Sequence, residues 1–292
     1  MKTSWLLIMK KLTVLLILFA VILSGCSNPK SSQIAATTLP VYTFITELCE
    51  GTDISVSRLV TENISCLHDY TLQVSQMRAI EQADAVVMNG ADLEEFLEDA
   101  LKNANHIIDA SADIPLRCGH QHEGHEHNHD PHIWLSTANA KQMCMTICAE
   151  LSSLYPKYAS QFESNLQDLL KRLDDLQIYG ETALQNVSCR ELITFHDGFS
   201  YFAESFGLEI IKAIEEESGS EASAMELIEL IDLVETRNIP AIFTEKNGST
   251  AAAEIVANET GVQVFALDMA ISGNDYFDAM RHNVDTLKEA LE

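Results

Sequence analysis

Four side chains with metal-binding chemistry stand where a parallel sheet would present them. Three of them follow directly or closely on the predicted strands 54–60, 192–195 and 264–267, and the fourth opens a short apolar segment after a histidine-rich loop. Open parallel sheets bind ligands at the carboxyl ends of their strands. Three neutral imidazoles and one carboxylate form a tetrahedral set that suits a borderline divalent cation such as Zn²⁺. The four candidates are His68, His132, His196 and Asp268.

Taken singly, each of these four residues has a simpler explanation. A lone histidine at a strand end commonly caps a helix or forms a hydrogen bond within the core, and Asp268 could cap the helix that follows it. Position alone therefore leaves a shared metal site and four separate structural roles both open.

A histidine-rich loop strengthens the metal hypothesis. Five of the ten histidines fall within residues 119–129, among glycines and acidic residues and without a cysteine. This composition is typical of metal binding in an exported protein. Because the loop lacks a fixed scaffold, we expect weaker affinity and a variable stoichiometry here; a solvated loop without function is the alternative. The accessory metal-binding residues would be His120, His122, His125, His127 and His129.

The N-terminus has the pattern of an export signal. A Lys-Lys pair precedes an apolar run at 12–23, which as a helix spans roughly 18 Å, short of the ~30 Å hydrocarbon core of a bilayer. The run leads into Leu-Ser-Gly-Cys, which resembles a bacterial lipobox. We expect residues 1–26 to be a signal peptide and lipobox with Cys26 lipidated, and residues 27–33 to be a tether. The mature protein would then be held at the outer or periplasmic face of the cell membrane; a free Cys26 thiol is the alternative.

The charge balance excludes one class of partner. The chain carries 18 Lys+Arg against 44 Asp+Glu, a net charge of −26. Residues 1–25 contain three lysines and no acid, so their removal leaves 15 basic against 44 acidic residues, or −29. Such a surface repels phosphate backbones, and a nucleic-acid partner is not expected. It attracts cations, and selectivity among them must come from the imidazoles.

The remaining pattern predicts an α/β protein in two parts. Short β-type runs alternate with amphipathic helical stretches, which favours parallel sheets. Between the two parts, residues 157–186 form the longest helical stretch, with apolar residues three or four positions apart. The predicted boundaries are 34–155 for the N-terminal lobe, 156–187 for the linker helix and 188–292 for the C-terminal lobe. Each lobe supplies two candidate ligands, so the site would lie in the cleft between the lobes.

Six cysteines remain after Cys26. An even number in an exported protein permits disulfides, and no CxxC pair indicates a zinc ribbon or a redox site. We interpret these cysteines as small buried residues with one or two disulfides among them, and as no metal ligands.

Several motifs resemble those of a known family. Residues 130–135 read Asp-Pro-His-Ile-Trp-Leu and resemble the DPHxWL segment of zinc/manganese-type solute-binding lipoproteins of bacterial ABC importers. The family's Phe-His-Asp after a strand is matched at 195–197, and its C-terminal segment is matched by Leu267-Asp268. The similarity covers nearly all of 34–292, and the histidine loop points to the zinc-uptake branch. It implies two parallel-sheet lobes joined by a single long rigid helix, in agreement with the helix predicted independently.

The same resemblance implies the site. His68, His132, His196 and Asp268 would bind one cation between the lobes. Members that resemble manganese carriers usually have a glutamate where this chain has His196, and a third imidazole is a softer ligand that favours zinc.

The implied function is capture of Zn²⁺ outside the cytoplasm and its delivery to the permease of an ABC importer with its ATPase, by a monomeric binding protein. A carrier for Mn²⁺ or another divalent cation and a surface metal-binding adhesin are the alternatives. A metal-dependent hydrolase is a more distant one. Four protein ligands would leave no open position for catalysis, and no HExxH motif occurs, so we do not expect an enzyme.

Overall fold

The structure, a computed structural model, describes residues 33–62, 67, 70–118, 129–215 and 222–292. Two four-stranded sheets, each with helices packed around it, are connected by one long helix. The predicted α/β fold is confirmed. Within the described residues, no helix combines the length and the apolar character that crossing a membrane requires.

The N-terminal lobe contains four strands and four helices, and the long helix leads out of it. Its strands are β1 (Gln33–Ala36), β2 (Ser55–Arg58), β3 (Ala85–Met88) and β4 (Ile107–Asp109). Its helices are α1 (Leu39–Leu48), α2 (Val74–Gln82), α3 (Glu98–Leu101) and α4 (Thr137–Leu154), with single 3₁₀ turns at Glu95–Leu97, Ile133–Leu135 and Pro156–Tyr158; the long helix is α5 (Ala159–Leu184).

The C-terminal lobe repeats this alternation. Its strands are β5 (Glu191–His196), β6 (Glu209–Glu215), β7 (Ala241–Glu245) and β8 (Gln263–Leu267). Its helices are α6 (Ser200–Ser205), α7 (Ala224–Arg237), α8 (Ala251–Thr260) and α9 (Tyr276–Leu291).

Both sheets are parallel and have the same type of strand order. The order is β2-β1-β3-β4 in the first sheet and β6-β5-β7-β8 in the second. In each sheet the chain leaves the first strand to one side and returns on the other, so the loops after β1 and β3, and after β5 and β7, diverge. Such a switch point opens a crevice at the carboxyl ends of the strands, where parallel sheets bind ligands.

Helix α5 is amphipathic and forms part of a core that both lobes share. Phe162, Leu166, Leu169, Leu173 and Leu176 recur at spacings of three or four and are buried. They belong to one apolar cluster that reaches from β1 in the N-terminal lobe to the end of α9. Because this core is continuous, separating the lobes would expose apolar surface, which opposes a wide hinge opening.

A five-residue segment after β8, residues 269–273, ties the two lobes together, and we refer to it as the interlobe strap. Every second carbonyl of the strap accepts a hydrogen bond from a donor in the N-terminal lobe. The pairs are Trp134 Nε1 to Met269 O (2.7 Å), Leu39 N to Ile271 O (3.2 Å) and Arg58 Nη1 to Gly273 O (2.8 Å).

The expectation of disulfides is wrong for the cysteines that the structure describes. Five of the six that follow Cys26 are described, and all five are free thiols. Cys49, Cys144 and Cys148 are buried, as the interpretation as small core residues requires. Burial raises the pKa of the Cys49 thiol to about 12, because the thiolate loses its hydration there. The buried thiol is therefore chemically inert.

Gly180 on α5 lies where a side chain would not fit. A Cβ at this position would lie 2.2 Å from Cε1 of Phe206, which is itself buried. Gly180→Ala should therefore destabilise the protein by about 1–3 kcal/mol through overpacking, although glycine to alanine within a helix normally stabilises. Urea unfolding checks this, with the exposed Ser164→Ala on the same helix as the control. An unfolding free energy equal to or above that of the wild type would contradict the packing argument.

Candidate metal centre

His132 is held by the segment that carries it. The following turn, Ile133–Leu135, is completely buried and fixes the backbone at this point. Asp130 Oδ1 lies 2.8 Å from His132 Nδ1 and also accepts the His132 backbone N–H at 3.0 Å. Because a carboxylate only accepts hydrogen bonds, Nδ1 carries the proton in this arrangement and Nε2 presents a lone pair.

His196 is the last residue of β5 and is 2% exposed. Its Nδ1 lies 3.5 Å from Oε1 of Glu245, the last residue of the neighbouring strand β7. The chain passes so close to the imidazole that a Cβ on Gly198 would lie 2.7 Å from His196 Nε2. A glycine is needed here because any side chain would displace the ring.

The two imidazoles face each other across the cleft. His132 Nε2 and His196 Nε2 are 3.3 Å apart, and the rings are inclined at 85°. Two nitrogens bound to tetrahedral zinc at about 2.0–2.1 Å are separated by about 3.3–3.4 Å. The spacing therefore matches that of two ligands on one ion. Asp130 fixes the tautomer of His132, whose Nε2 is therefore available to a cation, and His196 Nε2 lies at the distance of a second ligand.

Asp268 has a different environment from the one expected. Its Oδ2 lies 3.0 Å from Lys246 Nζ, and its Oδ1 accepts the Ala270 N–H at 2.9 Å. It shares a small pocket with Glu245 and Met269. The carboxylate thus lines the same pocket as Glu245, the neighbour of His196, but is bound by an ammonium group.

The other predicted ligands fall partly outside the described residues. His68 lies outside them, as do Cys26, His120, His122, His125 and His127. Among the residues that the structure does describe, no three histidine, cysteine or acidic side chains converge in a geometry that could hold a metal ion. The structure therefore brings together two of the four predicted ligands, together with the carboxylates beside them.

His129, at the end of the histidine-rich loop, is fixed to the N-terminal lobe. It forms an isolated antiparallel bridge with Cys118. Its Nδ1 lies 3.3 Å from Asp92 Oδ2. The residues at the two ends of the loop, Cys118 and His129, are therefore paired, and His129 stands three positions before His132.

Sequence reasoning did not pair Asp130 and Glu245 with the imidazoles that they adjoin. Glu245 could have been found from its position, since it ends β7 as His196 ends β5, and these strands pair. Asp130 stands two residues before His132, a spacing that allows one carboxylate to bond both the ring and the backbone. Such partners of metal-binding histidines fix the ring and its tautomer.

The chain is similar to known proteins over most of its length. The family model described as zinc-uptake complex component A, periplasmic (ZnuA), matches residues 34–290. The zinc-binding lipoprotein AdcA of Streptococcus pneumoniae is 29% identical over 97% of this chain. The chain spans 62% of the length of that relative.

Two solved structures show how far the fold is shared. A crystal structure of ZnuA is 31% identical and superposes with a TM-score of 0.80, covering 90% of this chain and all of that one. The laminin-binding protein Lmb of Streptococcus agalactiae, titled a bifunctional protein with adhesin and metal transporting activity, is 25% identical with a TM-score of 0.77, over 90% of this chain and 100% of its own. With a family model that matches residues 34–290 and a fold shared over 90% of the chain, the chain belongs to the family of periplasmic zinc-uptake complex component A proteins.

Proposed function

We propose that this protein captures Zn²⁺ outside the cytoplasm and delivers it to the permease of an ABC importer. The observation that carries the proposal is the pair of Nε2 atoms, 3.3 Å apart at the crevice between the lobes. Family membership and the likeness to a zinc-binding lipoprotein support it. The protein would act as a binding protein and not as an enzyme, and zinc would be its cargo.

His132 and His196 are the core of the proposed zinc site. His68, from the loop after β2, and Asp268, from the end of β8, are the proposed third and fourth ligands. Asp268 would have to exchange the ammonium group of Lys246 for the cation. This exchange suits a transport protein, since a lysine that competes for the carboxylate offers a way to release the ion.

The histidine-rich loop would act as an accessory collector of zinc. Its last histidine, His129, is anchored at Asp92, and the chain runs from there directly to His132. A cation held by the loop would therefore be close to the tight site. The acidic surface would raise the local concentration of cations within about 8 Å at physiological salt.

The proposed location and partners follow from the same reasoning. Cys26 would carry the lipid that holds the mature protein at the outer face of the cell membrane, and the lipoprotein AdcA supports this. The partners would be the importer's permease with its ATPase, and the protein would act as a monomer. A role as a surface metal-binding adhesin is the second candidate, favoured only by the likeness to Lmb, a bifunctional protein with adhesin and metal transporting activity.

Competition between metals tests the proposed function. We expect residues 27–292 to bind one Zn²⁺ tightly and to prefer it to Mn²⁺, because imidazole nitrogen is a softer ligand than carboxylate oxygen. Metal content after dialysis and titration against a chelator measure both quantities.

A variant that lacks residues 119–128, and so keeps His129 and its contact with Asp92, is the control for this titration. It should bind less zinc in total and keep the one tight site. Equal affinity for Mn²⁺ and Zn²⁺ would contradict the zinc assignment, and loss of the tight site in the deletion variant would contradict the separate role of the loop.

A further inference from the structure

A strained turn follows β3. Gly90, Ala91 and Asp92 have φ angles of 82°, 53° and 66°, so three consecutive residues adopt the left-handed conformation. Two of them are not glycine, and each pays a steric cost for this conformation. A run of this kind persists only where surrounding contacts hold it in place.

The carboxylate of Glu94 is the main contact that holds the turn. It is buried, and it accepts hydrogen bonds from Asn89 N (2.7 Å), Gly90 N (3.0 Å) and Thr37 Oγ1 (2.7 Å). Burial raises the pKa of Glu94 to about 7, and the three donors oppose that rise. Ser111 Oγ accepts the next amide, that of Ala91, at 3.0 Å. The turn is thus fixed amide by amide.

The strained turn also holds the backbone segment that leads to His132. Asn89 Nδ2 donates to the Pro131 carbonyl at 3.1 Å, and Asp92 Oδ2 lies 3.3 Å from His129 Nδ1. These contacts hold Pro131 and His129, the two residues that flank Asp130. We call residues 89–94, with these contacts, the clasp.

We propose that the clasp is the positioning element for His132, and that Asn89 is its principal positioning residue. The inference rests on the proposed zinc site. Asp130 orients the imidazole relative to its own backbone, but it cannot set where that backbone lies in the cleft. The buried turn Ile133–Leu135 fixes the backbone after His132. The clasp fixes the backbone before it from the carboxyl end of β3, together with the backbone bonds of Asp130 to Arg117 and Tyr201.

The position of the His132 backbone matters because a zinc site tolerates only small errors in the distances between its ligands. The separation of 3.3 Å between His132 Nε2 and His196 Nε2 fits one tetrahedral ion, and a shift of half an ångström in the 129–132 backbone would stretch one metal bond. Zinc sites depend on the groups that orient their ligands, and loss of such a group typically lowers affinity 10- to 100-fold.

Asn89→Ala in the full chain tests the proposal. We expect zinc affinity to fall by about 10- to 100-fold, because the Pro131 carbonyl loses its tie. We also expect the ¹⁵N imidazole signals of zinc-bound His132 to shift or broaden, which a general loss of stability would not produce in the folded population. Asp92→Asn, at a half-exposed ion pair, should lower affinity less, by up to about fivefold.

Asn105→Ala is the matched control. Asn105 Nδ2 also donates to a backbone carbonyl of the same lobe, that of Ala83 at 2.7 Å, but away from the clasp. It should leave zinc affinity and the His132 signals unchanged. If Asn89→Ala does not fold, the His132 signals in Asp92→Asn decide, since the proposal requires them to move.

Two patterns of results overturn the inference. If Asn89→Ala and Asp92→Asn bind zinc like the wild type while His196→Gln does not, the clasp has no positioning role and the zinc site stands. If all three variants bind zinc like the wild type, the proposed function is wrong as well.

Discussion

His196→Gln should lower zinc affinity by more than about 100-fold, beyond the range expected for a residue that only supports a ligand. The imidazole supplies one of the two Nε2 atoms that converge at 3.3 Å. Glutamine is preferred to alanine because it keeps volume next to Glu245, which would otherwise face a cavity in a buried place. Titration of zinc against a chelator measures the loss.

His282→Gln is the control for this experiment. His282 is an exposed histidine on α9 and is not part of the cleft. Its replacement should leave the tight site intact, so a loss seen only at position 196 assigns the effect to the site. Unchanged zinc affinity in His196→Gln would remove the central observation on which the proposed function rests.

Trp134→Ala destabilises the protein by about 3–5 kcal/mol, the largest effect on folding that we expect from one residue. The side chain is completely buried in the core that both lobes share. It also donates from Nε1 to Met269 O on the interlobe strap, and its own carbonyl accepts the Tyr276 hydroxyl at 2.7 Å. Removing the indole leaves a cavity and leaves the buried carbonyl of Met269 without its donor.

Trp134→Phe separates the two contributions. Phenylalanine keeps much of the ring volume and loses the donor, so we expect a cost of about 1–3 kcal/mol for the unpaired carbonyl of Met269. Tyr158→Phe removes a hydroxyl from an exposed hydrogen bond of 3.4 Å and should change the unfolding free energy little. Urea unfolding of zinc-free protein measures all three. A cost for Trp134→Ala no larger than that for Tyr158→Phe would disprove the interlobe role.

The layout of the fold could be predicted from sequence because it is encoded in two local patterns. These are the alternation of strands and helices and the apolar stripe of α5, and the observed elements follow them closely. Where prediction failed, side chains had overridden propensity. Apolar spacing predicts a helix over 71–82, but the helix begins at Val74, because Gln73 and Gln76 form a capping box. Apolar spacing also predicts a helix over 93–102, where the structure has a 3₁₀ turn and one α-turn, because Glu94 binds the strained turn before it.

The candidate site was predictable only to the extent that strand ends predict it. His132 and His196 do come together, but only His196 stands at the carboxyl end of a strand, whereas His132 precedes the 3₁₀ turn Ile133–Leu135. The environment of Asp268 depends on which strands are neighbours, which local patterns do not contain. Since β7 pairs with β8 and Glu245 lies opposite Leu267, the next residues, Lys246 and Asp268, are brought side by side. The ion pair between Lys246 and Asp268 therefore follows from the register in which β7 and β8 pair.

The interlobe strap gives the protein a built-in optical reporter. The sequence has two tryptophans, Trp5 and Trp134, so the tryptophan fluorescence of residues 27–292 comes from Trp134. The indole N–H of that residue crosses from one lobe to the strap that leaves Asp268. Its emission wavelength, and the single indole peak in a ¹⁵N spectrum, would therefore follow the two lobes as they take up and release their cargo, without any attached label.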